Sequence, residues 1–167
     1  MFAIVIATVC LTINHSQAQY YTTPFGTGNP GDKNTEDLEY PVGGGLPNTW
    51  NVIHAGGVTN PVWSAIENLP FSFVFNGDSV NSFKVSTSGV LTFSTAATTV
   101  PTSLNSSLPH ASIPNNSICI WGLSGKGSND KIVSKTFGNA PYRQYWISFN
   151  DYSKQAIFSS HYTYWSI

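Results

Sequence analysis

Short segments in which apolar and polar residues alternate, separated by turn residues, most constrain the fold of this 167-residue chain. Residues Phe71 to Phe75 carry a phenylalanine at every second position, and Phe83 to Val85 and Leu91 to Phe93 repeat the spacing. Successive side chains of a β-strand point to opposite faces, so this period places the apolar residues on one face of a sheet. No window of a dozen residues keeps a helical period. The chain is therefore predicted to be all-β.

Turn residues between these segments predict tight hairpins. Asn76-Gly77 follows one apolar segment directly, and Ser86-Thr87-Ser88-Gly89 separates the next two. Glycine readily adopts the positive φ that a tight hairpin requires. The predicted strands are Trp50 to His54, Val62 to Ile66, Phe71 to Phe75, Phe83 to Val85, Val90 to Phe93, Ile118 to Leu123, Lys131 to Phe137, Gln144 to Phe149 and His161 to Ile167.

These strands favour one domain over residues 50–167, folded as an antiparallel two-sheet β-sandwich. The segment from Ser117 to Leu123 is apolar at almost every position, which predicts a central strand covered on both faces. Tyr164 to Ile167 end the sequence inside an apparent strand without a closing turn. We therefore expect a fragment of a longer protein. In such a fragment the sheet can lack its final strands and leave an edge exposed at the C-terminal end.

The first 18 residues have the pattern of a signal peptide. Residues Phe2 to Ile13 form a 12-residue apolar run, which is short of the about 20 residues that a membrane-spanning helix needs. Ser16-Gln17-Ala18 places small residues at positions −3 and −1 of a cleavage site, so the mature chain is expected to begin at Gln19. The sequence thus predicts a secreted or outer-surface protein with no transmembrane span in its mature form.

Residues 19–49 are predicted to be an irregular leader on the surface of the domain. This segment contains Gly-Asn-Pro-Gly, four acidic residues and a Pro-Val-Gly-Gly-Gly run. Asp32, Asn34 and Glu36 have the opening spacing of a calcium loop, but Asp37 and Gly43 stand where such a loop has Gly and Glu. A solvated acidic segment is favoured, a weak calcium site stays an alternative, and no metal or cofactor is predicted.

The charge of the chain argues against nucleic acid as a partner. Seven Lys and Arg residues against eight Asp and Glu residues give a net charge of −1, which supplies no field to attract a polyanion or an anionic membrane.

The sequence contains no pattern of catalytic residues. No Gly-x-Ser-x-Gly turn is present to hold a nucleophilic serine. Cys119 lies among apolar residues, as expected of a buried small side chain. Four carboxylates of the folded part lie beside turn residues: Glu67, Asp78, Asp130 and Asp151. Capping of turns explains Asp78, which follows Asn76-Gly77, and Asp130, which follows Gly127-Ser128-Asn129. We therefore predict that the chain is not an enzyme.

The aromatic residues suggest a candidate ligand-binding surface. Trp146 and Trp165 lie on strand faces with polar neighbours and are predicted to be exposed, whereas Trp121 is assigned to packing. Together with Tyr142 and Arg143, these tryptophans could line a groove for a glycan or a peptide. The alternative is that an incomplete sandwich edge exposes the same residues without any ligand.

Segments Leu69 to Gly77 and Phe83 to Phe93 resemble the opening β-sandwich of large secreted surface proteins of Gram-negative bacteria that use type IX secretion. Similar stretches occur at Tyr40 to Pro47, Ile120 to Asp130 and Thr136 to Gln144, so the resemblance covers most of residues 40–150. One departure is Tyr142, where the family has a smaller polar residue. The Phe-x-Phe and Ser-x-Gly-x-Leu-x-Phe patterns are also more distantly similar to nidogen-type extracellular modules.

The resemblance implies a non-enzymatic structural or adhesive module of a secreted cell-surface protein. In that group the module precedes repeats and a C-terminal sorting domain, so the expected partners are other domains of the full-length protein and a glycan or other cell-surface ligand. A carbohydrate-binding module and an accessory domain of a secreted hydrolase remain the alternatives.

Overall fold

The computed structural model describes residues 29–36, 49–154 and 163–167, with residues 163–166 described through their backbone. The predicted signal peptide and most of the predicted leader lie outside these ranges. A short 3-10 turn spans Pro30–Asp32. The strands are β1 (Asn51–Ala55), β2 (Glu67–Phe75), β3 (Asp78–Val85), β4 (Val90–Thr92), β5 (Ser117–Cys119), β6 (Leu123–Ser124), β7 (Lys131–Phe137), β8 (Gln144–Lys154) and β9 (Thr163–Ser166).

The strands form two antiparallel sheets that pack face to face. One sheet has the order β1-β7-β8-β6, with β9 also paired to β8, and the other has the order β2-β3-β4-β5. Their shared core contains Phe83, Val85 and Leu91 from the four-stranded sheet. The five-stranded sheet contributes Leu123, Ile132, Ile147, Phe149 and Tyr152. The prediction of an all-β, antiparallel two-sheet sandwich is confirmed.

Both predicted hairpins are present. Phe75 pairs with Asp78 around Asn76 and Gly77, whose φ values of 52° and 88° give the two positive central residues of a type I′ turn. Local turn chemistry therefore sets the register of β2 and β3.

The second hairpin turn, Ser86 to Gly89, is buried in the sandwich. The Ser86 amide donates to the Val90 carbonyl at 2.7 Å, and the hydroxyls of Ser86 and Ser88 are 2.8 Å apart. Gly89 has a φ of 88°, as the sequence predicts. Because its polar groups bond within the turn, to Val62 and to residues 120–123, this serine-rich segment tolerates burial.

The prediction of one central strand from Ile118 to Leu123 is wrong. β5 ends at Cys119 in the four-stranded sheet, and β6 begins at Leu123 in the other sheet. Trp121 and Gly122 between them have φ values of 33° and 103°, which interrupt a strand. The apolar run marks a crossing between the sheets, where both layers bury its side chains.

One further predicted strand differs from the structure. Val62 to Ile66 is not a strand, because only an isolated bridge from Trp63 to Ser86 forms there. At the C-terminal end β9 pairs with β8, and Ile167 exchanges backbone hydrogen bonds with Ile147. The described residues contain no helix long and apolar enough to cross a membrane.

Candidate functional site

The turn between β7 and β8, residues 138–143, carries two of the predicted binding residues at the surface. Tyr142 is 74% exposed, and Arg143 is also exposed. The Tyr142 amide donates to the Asn139 carbonyl at 2.8 Å, which closes the turn. Trp165, also predicted for this site, lies in β9 opposite Phe149, and its side chain falls outside the described structure.

The prediction that Trp146 is exposed is wrong. Its side chain is only 8% exposed, and its ring meets Phe137 edge to face with centroids 6.3 Å apart. The indole Nε1 donates to Gln144 Oε1 at 3.0 Å. Trp146 therefore belongs to a second apolar cluster, which it forms with Trp50, Val133 and Phe137.

This second cluster lies on the outer face of the five-stranded sheet. Val133 and Trp146 alternate along their strands with Ile132 and Ile147, which face the other sheet. The polar neighbours that suggested a solvated face are themselves covered, since Ser148 is only 4% exposed. Alternation identified the two faces correctly, but it carried no information about what covers the outer one.

Residues 29–36 form a strap beside this outer cluster. Gln144 Nε2 donates to the Pro30 carbonyl at 2.7 Å, and the Glu36 carboxylate pairs with Lys135 of β7. Glu36 also accepts a hydrogen bond from the Trp50 indole. Asn34 is only 5% exposed. This part of the predicted leader is irregular as expected, but it is packed on the domain rather than solvated.

The Glu36 carboxylate is held in its charged form. Burial raises the pKa of Glu36, but the hydrogen bonds from Lys135 and Trp50 and the charge of Lys135 outweigh that effect, so the pKa is lowered. The side-chain oxygen of Asn34, a second residue of the calcium-like spacing, accepts the Glu36 amide at 3.0 Å. The Glu36 carboxylate and the side-chain oxygen of Asn34 are thus engaged within the protein.

Arg143 packs against a residue that the sequence assigned to the regular strand pattern. Its guanidinium lies over the Phe71 ring, 5.1 Å from the ring centroid, and its Nη1 is 3.5 Å from the Pro70 carbonyl oxygen. Among the described residues no carboxylate pairs with Arg143. The one ion pair found among them joins Lys135 to Glu36. Phe71, Tyr142 and Arg143 are called the turn surface below.

Gly138 allows this turn to close against its neighbours. It has a φ of 77°, and a Cβ placed there would lie 2.8 Å from the Tyr142 carbonyl oxygen and 3.2 Å from Lys33 Cδ. A larger residue would therefore push apart the turn and the strap. Lys33 of the strap therefore lies next to Gly138, at the start of the turn.

A second exposed aromatic group lies further along β2. The Phe75 ring is 4.8 Å from the Phe93 ring and 6.5 Å from the Phe73 ring, centroid to centroid. Phe73 remains 40% exposed and Val74 65%. The apolar repeat of β2 is thus only partly buried.

The groups that could serve catalysis have structural surroundings. Burial raises the pKa of the Cys119 thiol to about 11, which suppresses the reactive thiolate. Asp130 accepts the Gly127 amide at 2.8 Å, as predicted for a turn-capping residue. Within the described ranges, no three His, Cys, Asp or Glu side chains are grouped so that they could hold a metal ion.

Comparison with known proteins identifies the family. A family model described as NIDO related matches residues 49–162, which is more than half of the chain and runs from the start of β1 through β8. No curated protein and no solved structure matches the chain. The more distant resemblance to nidogen-type modules is confirmed. The chain belongs to the NIDO-related family, which is associated with extracellular proteins.

Proposed function

We propose that this chain is a non-enzymatic module of a secreted or cell-surface protein, where it presents and spaces other domains and contributes to adhesion. Membership of the NIDO-related family, over residues 49–162, is the observation that carries the proposal. The signal-peptide pattern of residues 1–18 supports export independently, because it lies outside the matched region.

The packing of the domain supports a structural role. The two sheets share one core, and the Ser86 to Gly89 turn and the Glu36 ion pair fix a loop and the strap to it. Two candidate catalytic groups, Cys119 and Asp130, have raised pKa values, chiefly because burial disfavours their charged forms. For Cys119 this keeps the thiol in its protonated, unreactive form.

Export by the type IX route is the finer part of the proposal. It rests on the resemblance of Leu69 to Gly77 and Phe83 to Phe93 to the opening module of proteins that use this route. The sorting signal of such proteins belongs to a domain that follows the module, so the full-length protein is the one to test.

Fractionation of cells that express the full-length protein tests export. The surface fraction is expected to contain a protein that external protease degrades and whose N-terminus is Gln19. Ala18→Arg should block cleavage at that site, because the −1 position requires a small residue, whereas Ala7→Leu inside the apolar run should not. A chain that stays in the cytosol with residues 1–18 attached would contradict the proposal.

The same fractionation in a strain without the type IX translocon tests the route. Retention of the protein in the periplasm is expected there. Unchanged surface delivery would contradict the type IX route and leave extracellular function intact.

A further inference from the structure

We propose that the turn surface, Phe71, Tyr142 and Arg143, binds a carboxylated glycan. This inference rests on the proposed function, since it names the ligand class through which an extracellular adhesive module would act. Its residues are an exposed tyrosine, a guanidinium that follows this tyrosine directly in the turn and has no described carboxylate partner, and a ring beneath that guanidinium.

Arg143 supplies the charge recognition. A guanidinium can donate two parallel hydrogen bonds to one carboxylate, and that arrangement is stronger and more directional than a single hydrogen bond. The Phe71 ring, 5.1 Å from the guanidinium, holds one face of it, and Nη1 lies 3.5 Å from the Pro70 carbonyl oxygen, so the edge formed by Nε and Nη2 is the one assigned to the ligand. Because the group is already positioned, a ligand loses less side-chain entropy on binding.

Tyr142 supplies the apolar contact. An aromatic side chain that is 74% exposed leaves a large flat surface in water, and such a ring binds at low entropic cost because it has few rotatable bonds. Its backbone is fixed by the hydrogen bond to Asn139 and by close packing at Gly138. A pyranose ring presents an apolar C–H face of matching size, and Arg143 is the next residue of the same turn.

The charges around the turn favour a local rather than a general attraction for anions. Lys33 lies beside Gly138, but as a lysine it lacks the paired donors that Arg143 offers to one carboxylate. The chain as a whole has a net charge of −1. Discrimination of acidic from neutral glycans is therefore assigned to Arg143, and added salt should weaken the contact.

An extended peptide is a poorer occupant of the same surface. Pro70 has no amide hydrogen to offer an added strand, and its carbonyl oxygen faces Arg143. The pairing of β2 with β3 is also irregular between Asn68 and Phe73. Strand addition requires a regular row of free backbone groups, which this end of β2 does not offer.

Titration of the mature chain with trigalacturonic acid tests the proposal, with galactotriose as the neutral comparison. We expect saturable amide shifts for the turn at residues 138–143 with trigalacturonic acid, and weaker or no shifts with galactotriose. Arg143→Gln should lower the affinity about tenfold or more, and Arg143→Lys should restore only part of it, because lysine keeps the charge but loses the paired donors. Lys154→Gln, at an exposed lysine of β8, is the matched control and should leave affinity unchanged.

Two tyrosine variants separate stacking from folding. Tyr142→Phe should retain binding and Tyr142→Ala should lose it, while both keep the amide spectrum of the folded chain. Absence of binding to trigalacturonic acid, equal binding of the neutral sugar, or unchanged affinity in Arg143→Gln would each overturn the proposal. Failure of export is measured without any glycan, so the two proposals fail separately.

Discussion

The rings of Phe83 and Tyr145 meet edge to face across the two sheets, with centroids 6.0 Å apart and planes at 66°. Phe83 is completely buried. The Tyr145 hydroxyl donates to Ser134 Oγ at 2.8 Å on the adjacent strand β7. Tyr145 thus joins the packing between sheets to a polar contact within one sheet.

Tyr145→Phe should lower the free energy of unfolding by about 1 kcal/mol, because it removes one partly buried hydrogen bond and keeps the ring. Tyr145→Leu should cost more, since it also removes the contact with Phe83. Urea unfolding of the two variants measures the difference. Equal losses for both would show that the ring contact contributes nothing.

Gly89→Ala should destabilise the domain more than Gly77→Ala. Both glycines have a φ of 88°, so both variants incur the backbone strain of about 1–2 kcal/mol. A Cβ at Gly89 would also lie 2.9 Å from Leu123 Cγ, whereas nothing lies within 4 Å of one at Gly77. We expect an additional loss of about 1–3 kcal/mol at Gly89 in urea unfolding. Equal losses of stability at the two sites would mean that Leu123 does not pack against Gly89, which would contradict the crossing between the sheets.

Glu36→Gln should lower stability at pH 7 by about 0.5–1 kcal/mol, because it removes a partly exposed ion pair but keeps an acceptor for the Trp50 indole. The pKa of Glu36 is lowered from 4.5 by folding. The contribution of the Glu36 carboxylate to the free energy of unfolding is therefore fully present above its pKa in the unfolded chain. It is lost as the pH falls through its pKa in the folded chain.

Unfolding measured from pH 7 to pH 3 should consequently show the difference between the natural chain and Glu36→Gln shrinking toward acid. Asp78→Asn serves as the control, because it makes the same acid-to-amide change at an exposed carboxylate for which the described residues show no ion pair. A difference that grows toward acid would mean that the strap is held by other contacts.

Cys119 should react slowly with iodoacetamide in the folded chain. A pKa of about 11 instead of 9.0 lowers the thiolate fraction at pH 8 by about a hundredfold. Alkylation followed by mass spectrometry, in buffer and in about 8 M urea as the denatured control, measures the difference in reaction rate. Equal rates in the two solvents would contradict the burial of the thiol.

Features set by local chemistry were predictable from the sequence. The Asn76-Gly77 pair predicts its hairpin because few residues adopt two consecutive positive φ values. The Ser86 to Gly89 turn was predictable because Gly89 readily adopts the positive φ that the turn requires. Alternation in the strands then indicated two layers, and the structure has them.

Features that depend on distant contacts were not predictable in this way. The segment from Ile118 to Leu123 is apolar whether it forms one buried strand or a crossing, and bonds to Gly89 decide between them. Trp146 is buried beside a strap whose Glu36 lies 99 residues before Lys135. No short-range pattern records such a contact.

The candidate site was predicted in part. Tyr142 and Arg143 do lie together in one exposed turn, but Phe71 replaces Trp146 beside Arg143. Phe71 was missed because its spacing with Phe73 and Phe75 is typical of a core strand. A ring that a cation covers at the surface has the same sequence pattern as one in the core.

Nuclear Overhauser contacts between the ring protons of Phe83 and Tyr145 test the two-sheet sandwich most directly. The sandwich predicts cross-peaks between these rings, whose centroids are 6.0 Å apart, and loss of them in Tyr145→Leu. Assigned ring signals from a folded chain without any such cross-peak would contradict the face-to-face packing of the two sheets.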